Sequence, residues 1–335
     1  MTAARPKGLI VARGAIPLVA NKPLPLYGLD AMRSAGISEV GIVATPTAGA
    51  AIRELIQDGA AAGLEVRLLR RAGPSPVASL AAAASFVDQS PCVVQLRDGL
   101  VRGDLAPLLD ELTHDDLDAL LLLDPTEPAS EDVTGLDDLR LLRMTGQSRH
   151  SGRLAGVHVL GPRTVRAACG GAGTLVDLLR RVLADGGRAR ARPFEGSWRP
   201  VARHEELLEA NRVVLDDLHP GPVQGELIDS RIQGRVLIGQ NTRLEATTVR
   251  GPAVIGSHVQ LRHAYIGPYT SIGDGVEIEG SEVEHSVVLP GAVIKHLGGR
   301  LEASVVGRGA KVFRDFTLPR AMRLRIADGD EVCLA

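Results

Sequence analysis

Aliphatic residues along this chain keep two different rhythms, and the change falls near residue 219. From residue 223 to about 311, single aliphatics recur at about every sixth position, often followed by glycine, as in Ile238-Gly239, Ile255-Gly256, Ile266-Gly267 and Ile272-Gly273. Three rows advance in step at a spacing of 17: Ile238, Ile255 and Ile272; Leu244, Leu261 and Ile278; Val249, Ile266 and Val283. Steps of 6, 5 and 6 within a unit are the hexapeptide pattern of a parallel β-helix, each step a short strand plus a tight turn, three steps to a triangular coil. One coil cannot cover its own apolar face, so coils must stack. The pattern extends back through Val223, Leu227 and Ile232 and forward through Val288 or Leu289, Ile294, Leu301 and Val306, about four to five coils in all. An ordinary antiparallel β domain also has strands every few residues, but gives no reason for three rows in register.

Before residue 219 the rhythm is that of an α/β domain with a mainly parallel sheet. Residues 8–11, 40–44, 64–69, 92–96, 119–123 and 154–160 read as strands, and 26–35, 50–59, 78–86, 105–112, 174–183 and 203–218 as helices. Gly36 closes the first helix where a left-handed cap is wanted. Residues 126–132 read as a surface loop. The last helix is amphipathic, with Leu207, Leu208 and Val214 expected inside and Glu205, Glu206, Glu209 and Arg212 outside. His219-Pro220-Gly221-Pro222 then breaks it, which sets the expected domains at 1–218 and 219–335, the residues from 314 onward capping the repeat.

Composition narrows the function classes. A net charge of −2 and a pI near 6.5 lack the basic excess of a nucleic-acid binder, and 2% aromatic residues leave little for base stacking. The scarcity of lysine (Lys7, Lys22, Lys295 and Lys311) beside many arginines reads as compositional bias. Cys92, Cys169 and Cys333 lie far apart without metal-ligand spacing, which points to a reducing cytoplasm. No apolar run has the length of a membrane span or signal peptide, so no membrane partner is expected.

Several stretches carry a resemblance. They are residues 16–23 (IPLVANKP), Leu26 to Ala31, Ala35-Gly36-Ile37, Leu207 to Arg212 (LLEANR), residues 249–256 and residues 265–272. Together they resemble the long-type glucose-1-phosphate thymidylyltransferases, sugar-1-phosphate nucleotidyltransferases with a Rossmann-like domain and a left-handed β-helix. The resemblance implies attack of a sugar phosphate on the α-phosphorus of a nucleoside triphosphate, with Mg2+ as cofactor. It also exposes departures. The family's Gly-rich loop and its following lysine are absent, since Val11-Ala12-Arg13-Gly14-Ala15 runs almost directly into Ile16-Pro17. Arg71 and Pro76 stand where the family has its base-reading glutamine and a glycine. Asp98 keeps the position of the first metal carboxylate, whereas Pro200 takes the second. No lysine lies around residues 142–145, where the family's sugar-phosphate lysine would fall, and Thr174 replaces a sugar-binding glutamate.

The expectation is therefore a catalytically impaired or inactive homologue, a regulatory or scaffolding subunit in nucleotide-sugar or natural-product glycosylation. It would self-associate through the β-helix and have a catalytic paralogue as candidate partner. Asp98 is the residual metal position, or else only a polar strand-end residue. Arg70, Arg71, Arg97 and Arg199 are candidate contacts for the phosphate of a nucleotide or sugar phosphate, or plain surface charge. Two alternatives stay open: an active or repurposed thymidylyltransferase-like enzyme, and a hexapeptide-repeat acyltransferase using one of His258, His263, His285 or His296 as general base. His114-Asp115-Asp116 reads as a solvated turn or cap before a metal site.

Overall fold

The computed structural model describes residues 4–57, 61–71, 73–124, 153–171, 173–221 and 223–314. Expectations for residues 126–132, 142–145 and 315–335 lie outside them. Two compact units are present, Met1–Asp217 and Leu218–Ala335.

The first unit is built on a seven-stranded sheet. Its strands are β1 (Lys7–Ala12), β4 (Glu39–Ala44), β5 (Glu65–Arg70), β6 (Cys92–Gln95), β8 (Ala119–Asp124), β9 (Arg153–Leu160) and β10 (Ala189–Pro193), in the order β10-β8-β9-β6-β1-β4-β5. All neighbours are parallel except β9, which runs antiparallel to both β6 and β8. Two short pairs lie outside it: β2 (Leu18–Val19) with β3 (Lys22–Pro23), and β7 (Gly99–Arg102) with β11 (Ser197–Pro200).

Successive side chains of a strand point to opposite faces, so a sheet covered on both sides needs apolar residues at every position. In β1, Ile10 and Ala12 join one core layer while Leu9 and Val11 join the other. In β8, Leu120 and Leu122 divide from Leu121 and Leu123 in the same way. Leu29 and Met32 of α1 (Leu24–Ser34), Ile52 of α2 (Pro46–Gln57) and Leu108 of α5 (Ala106–His114) cover the first layer. The second is covered by Leu80 of α3 (Pro76–Ala82), Phe86 of α4 (Ala84–Val87), Val165 of α6 (Pro162–Ala167) and Leu179 of α7 (Leu175–Ala184).

Three local expectations change. The helix expected over 78–86 is two, because α3 ends at Ala82 and Ala83 caps it before α4 begins. The last helix, α8 (His204–Asp216), buries Leu207, Ala210, Asn211 and Leu215, leaving Leu208 and Val214 half-buried at the margin. Glu206 and Glu209 are half-buried rather than outside: Glu206 accepts from the N–H groups of Ala202 and Arg203, and Glu209 from Arg212. Asn211 reaches back to accept the Ala20 N–H at 2.9 Å, pinning the turn of the β2–β3 hairpin, where Ala20 and Asn21 have φ of 46° and 62°.

In the second unit three parallel sheets of six, five and five strands are wound together, each strand pairing with the one a coil later. That pairing fits a parallel β-helix. The three rows fall in register as the spacing requires: Ile238↔Ile255↔Ile272, Leu244↔Leu261↔Ile278 and Val249↔Ile266↔Val283. Past residue 272 the period slips. Ile272 pairs Val288, 16 residues on, and Val288 pairs Val306, 18 on, so Val288 and not Leu289 carries the row. At the first coil, Val223 and Leu227 stay 44% and 42% exposed.

Candidate functional site

In open α/β sheets the crevice outside the carboxyl ends of the strands, where the strand order reverses, is the place for a ligand. Here the order runs from β1 out to β4 and β5 and then returns to β6 on the other side, so the reversal lies between β1 and β6. The loops leaving those strands carry Arg13 and Asp98, and the loop leaving β5 carries Arg71.

Gln95, only 2% exposed, fixes the Asp98 loop by donating from Nε2 to the carbonyl of Gly99 at 2.9 Å. Its other amide atom, Oε1, lies against Gly28 of α1, where an added Cβ would sit 2.5 Å away. The Arg13 guanidinium donates to the Leu96 carbonyl at 2.8 Å, and the Arg13 backbone N–H donates to the Asp98 carboxylate. Burial pushes the Asp98 carboxyl above its ordinary range, and the Arg13 and Arg71 charges pull the other way. Burial, with Arg71 nearby, likewise weighs against the charge on Arg13, whose buried Nε has no hydrogen-bond partner. Arg71 also holds its own loop, donating from Nε to the Gly73 carbonyl at 2.8 Å and from its terminal nitrogen to that of Pro74 at 2.6 Å.

Opposite Asp98 runs β11. Pro200 faces Gly99 across the ladder with β7, and the Val201 N–H donates to the Asp98 carbonyl at 3.2 Å. The strand is keyed by Trp198, 4% exposed, whose ring fills the space above Gly99 and Gly156; an added Cβ would fall 2.3 Å and 2.0 Å from it. A proline is tolerated in such a short edge pair, because it has no N–H to give a ladder.

The four candidate arginines do not form one cluster. Arg71 shares the Asp98 site with Arg13. Arg97 instead donates to the Leu154 carbonyl at 2.8 Å, and Arg199 lies 3.9 Å from the buried Asp124. Leu154 and Asp124 belong to paired ends of β9 and β8, so these two arginines tether that end of the sheet. Arg70 ends β5 in an exposed position, in register with Ala44. Arg13 and Gln95 were not legible as site residues, because a lone arginine before a glycine and a glutamine in an apolar strand carry no spacing signal.

Other positions acquire structural roles. Thr174 is the N-cap of α7, accepting from the Asp177 N–H at 3.1 Å, and Ser75 caps α3 with Pro76 in its first turn. His114-Asp115-Asp116 ends α5 as a turn, and Arg190 ion-pairs with Asp115 and Glu111. His114 and Arg190 together hold the Asp115 carboxyl below the usual range. His258, His263, His285 and His296 all occupy left-handed backbone positions between coil strands, with φ of 57°, 48°, 48° and 53°. His285 stacks on Tyr269, centroids 5.3 Å apart, while His263 borders a cleft of about 580 Å³ with Tyr265 and Arg300.

A magnesium ion carrying nucleotide phosphates wants one or two ionised carboxylates on the protein. Asp98 is the carboxylate at this crevice, burial disfavours its ionisation, positive charge is already supplied to it by Arg13 and Arg71, and Pro200 pairs with the neighbouring Gly99 across the ladder. These residues do not fit the ion. Among the described residues no group of three or more His, Cys, Asp or Glu side chains is arranged to hold a metal, and no helix is long and apolar enough to cross a membrane.

No protein-family profile matches the chain. It is 32% identical over 341 residues to a glucose-1-phosphate thymidylyltransferase of Streptomyces griseus, covering 98% of this chain and 95% of that protein. It is 30% identical over 328 residues to one of Streptomyces antibioticus, covering 94% and 91%. A low-salt glycan biosynthesis nucleotidyltransferase of Haloferax volcanii is 28% identical over 331 residues, 94% of this chain and 92% of that one. A solved structure described as a glucose-1-phosphate thymidylyltransferase from Bacillus anthracis superposes with a TM-score of 0.51 at 17% identity, over 65% of this chain and 98% of that one, which supports the α/β fold. With relatives at 30% and 32% identity matched along nearly their whole length, the chain belongs to the sugar-1-phosphate nucleotidyltransferase family.

Proposed function

We propose that this chain is a catalytically impaired member of its family, a regulatory or scaffolding subunit in nucleotide-sugar or natural-product glycosylation. The observation that carries the proposal is the surroundings of Asp98: a carboxyl raised by burial, flanked by Arg13 and Arg71, with Pro200 across the ladder. Nucleotidyl transfer needs developing negative charge to be met by a metal and by preorganised donors. Here burial raises the Asp98 carboxyl although the charges of Arg13 and Arg71 favour its ionisation, and a connection of five residues, Arg13 to Pro17, separates β1 from β2 where the resemblance calls for a phosphate-cradling loop.

On this proposal the retained asset is the repeat, a left-handed β-helix of the long-type enzymes, through which the chain self-associates and engages a catalytic paralogue. A nucleotide or sugar phosphate remains a candidate ligand of Arg13 and Arg71. The test is to mix the purified chain with an intact thymidylyltransferase and measure the enzyme's rate and sedimentation. A changed rate or a mixed species supports the subunit role; no effect on either sinks it.

A further inference from the structure

The six-stranded face of the β-helix is written in charge. Its strands are Glu226–Ile228, Arg243–Glu245, Gln260–Arg262, Glu277–Glu279, Val293–Lys295 and Lys311–Phe313. The middle residue of each belongs to the inward row, so the first and third residues form two outward columns. The third-residue column reads Ile228, Glu245, Arg262, Glu279, Lys295, Phe313: apolar, minus, plus, minus, plus, apolar.

That column is its own complement when reversed. Turned end for end, Glu245 meets Lys295, Arg262 meets Glu279, and Ile228 meets Phe313, each contact made twice. The first-residue column obeys the same operation, since Glu226 meets Lys311, Arg243 meets Val293 and Gln260 meets Glu277. No like charges meet in either column. Two copies laid face to face about a two-fold axis parallel to the strands perform this reversal while keeping each column on itself, which is the symmetry of an isologous dimer.

We propose that this face is a homodimer interface, two copies joined with their coils antiparallel. It is available: Phe313 is 64% exposed, and the Arg243 and Arg262 side chains are 48% and 50% exposed. The same charges also pair within one chain, Arg262 to Glu245 at 4.0 Å, Lys295 to Glu277 and Glu279 at 3.3 and 3.9 Å, and Arg243 to Glu226 at 3.3 Å. These pairs are solvent-exposed and individually weak, so they leave the groups able to accept a second partner. Six strands at ~4.8 Å spacing make a patch only about 24 Å tall, below the size of a standard stable interface. The association is therefore weak and sensitive to salt, with Phe313 and Ile228 as the apolar ends. The proposal rests on the scaffolding role of the repeat, but its readout is molecular mass and is independent of any turnover.

The experiment is sedimentation velocity of the full chain and of two charge reversals. Arg262→Glu sets minus against minus at both symmetric contacts, and Glu279→Arg sets plus against plus. Each variant alone is expected to weaken dimerisation by about tenfold or more at low salt. An equimolar mixture of the two restores both contacts and is expected to sediment as a 1:1 dimer, which dissociates as salt rises. The double variant within one chain should also dimerise, although it places Glu245 beside a new glutamate and Lys295 beside a new arginine along the column. Alternation serving only the single chain would leave the mixture and the double variant as monomers. Those results, a wild-type chain that stays monomeric at high concentration, or an oligomer indifferent to both reversals would each overturn the proposal. Circular dichroism checks that the surface variants fold.

Discussion

Replacing Gly156 by alanine should dislodge the strand that carries Pro200. The added Cβ would lie 2.0, 2.3 and 2.7 Å from Cζ2, Cη2 and Cε2 of Trp198, where carbon atoms rest at about 3.5–4.0 Å. A displacement of more than about 1 Å is required, and the indole is 4% exposed and also packed against Gly99. Relief must come from β11, at the expense of its ladder with β7 and of the Val201 N–H to Asp98 carbonyl bond. Overpacking of this kind costs about 1–3 kcal/mol, and the depth of the clash argues for the upper end. Trp198 is the chain's one tryptophan, so its fluorescence in a urea titration reports the first unit without interference from the β-helix. The midpoint should fall, and Trp198→Phe in the Gly156→Ala background should recover part of the loss by circular dichroism, because the two changes share one space. An unchanged midpoint for Gly156→Ala, or strictly additive losses in the pair, would refute the keyed-strand account of the site.

Other outcomes follow from the same geometry. Pro200→Asp should place a carboxylate beside Asp98, and titration with Mn2+ should then show binding that exceeds that of the parent chain; equal binding would show that the ladder does not bring the two positions together. His158 is 2% exposed and accepts the Leu122 N–H on Nδ1 at 3.2 Å, and burial holds its pKa down to about 3. The unfolded chain thus binds a proton between about pH 6.5 and 3 that the folded chain refuses, so stability falls as pH drops through that window, by roughly 2 kcal/mol between pH 6.5 and 5. His158→Gln should flatten this acid slope in the Trp198 titration, and an unaltered slope would assign it elsewhere. Leu261→Ala, at a site 0% exposed in the β-helix core, should cost about 2–5 kcal/mol in the second unit's thermal transition while leaving Trp198 unfolding in place.

The 17-residue repeat of parallel strands was legible because its period is local: aliphatic residues 17 apart can be seen without knowing what they touch. The 16- and 18-residue coils after Ile272 were not, since only the pairing of Val288 with Ile272 and Val306 separates it from Leu289. In the first unit the long buried strands announced themselves, whereas β7, β10 and β11 did not. In β10, Ala189–Pro193, arginines alternate with alanine at the sheet edge, so no apolar run forms; Arg190 and Arg192 are instead paired with Glu111. Asp98 could be found from its strand-end motif, but Arg13 meets the Leu96 carbonyl across 83 residues of chain, a contact made by topology. The expected arginine cleft came apart for the same reason. Arg97 and Arg199 find Leu154 and Asp124 at the β8–β9 end, and spacing alone gives no hint of those partners.

An impaired crevice around Asp98 should no longer support nucleotidyl transfer. Purified chain incubated with Mg2+, glucose 1-phosphate and each nucleoside triphosphate should release no pyrophosphate above the uncatalysed background. Sustained release that Asp98→Ala abolishes would contradict it.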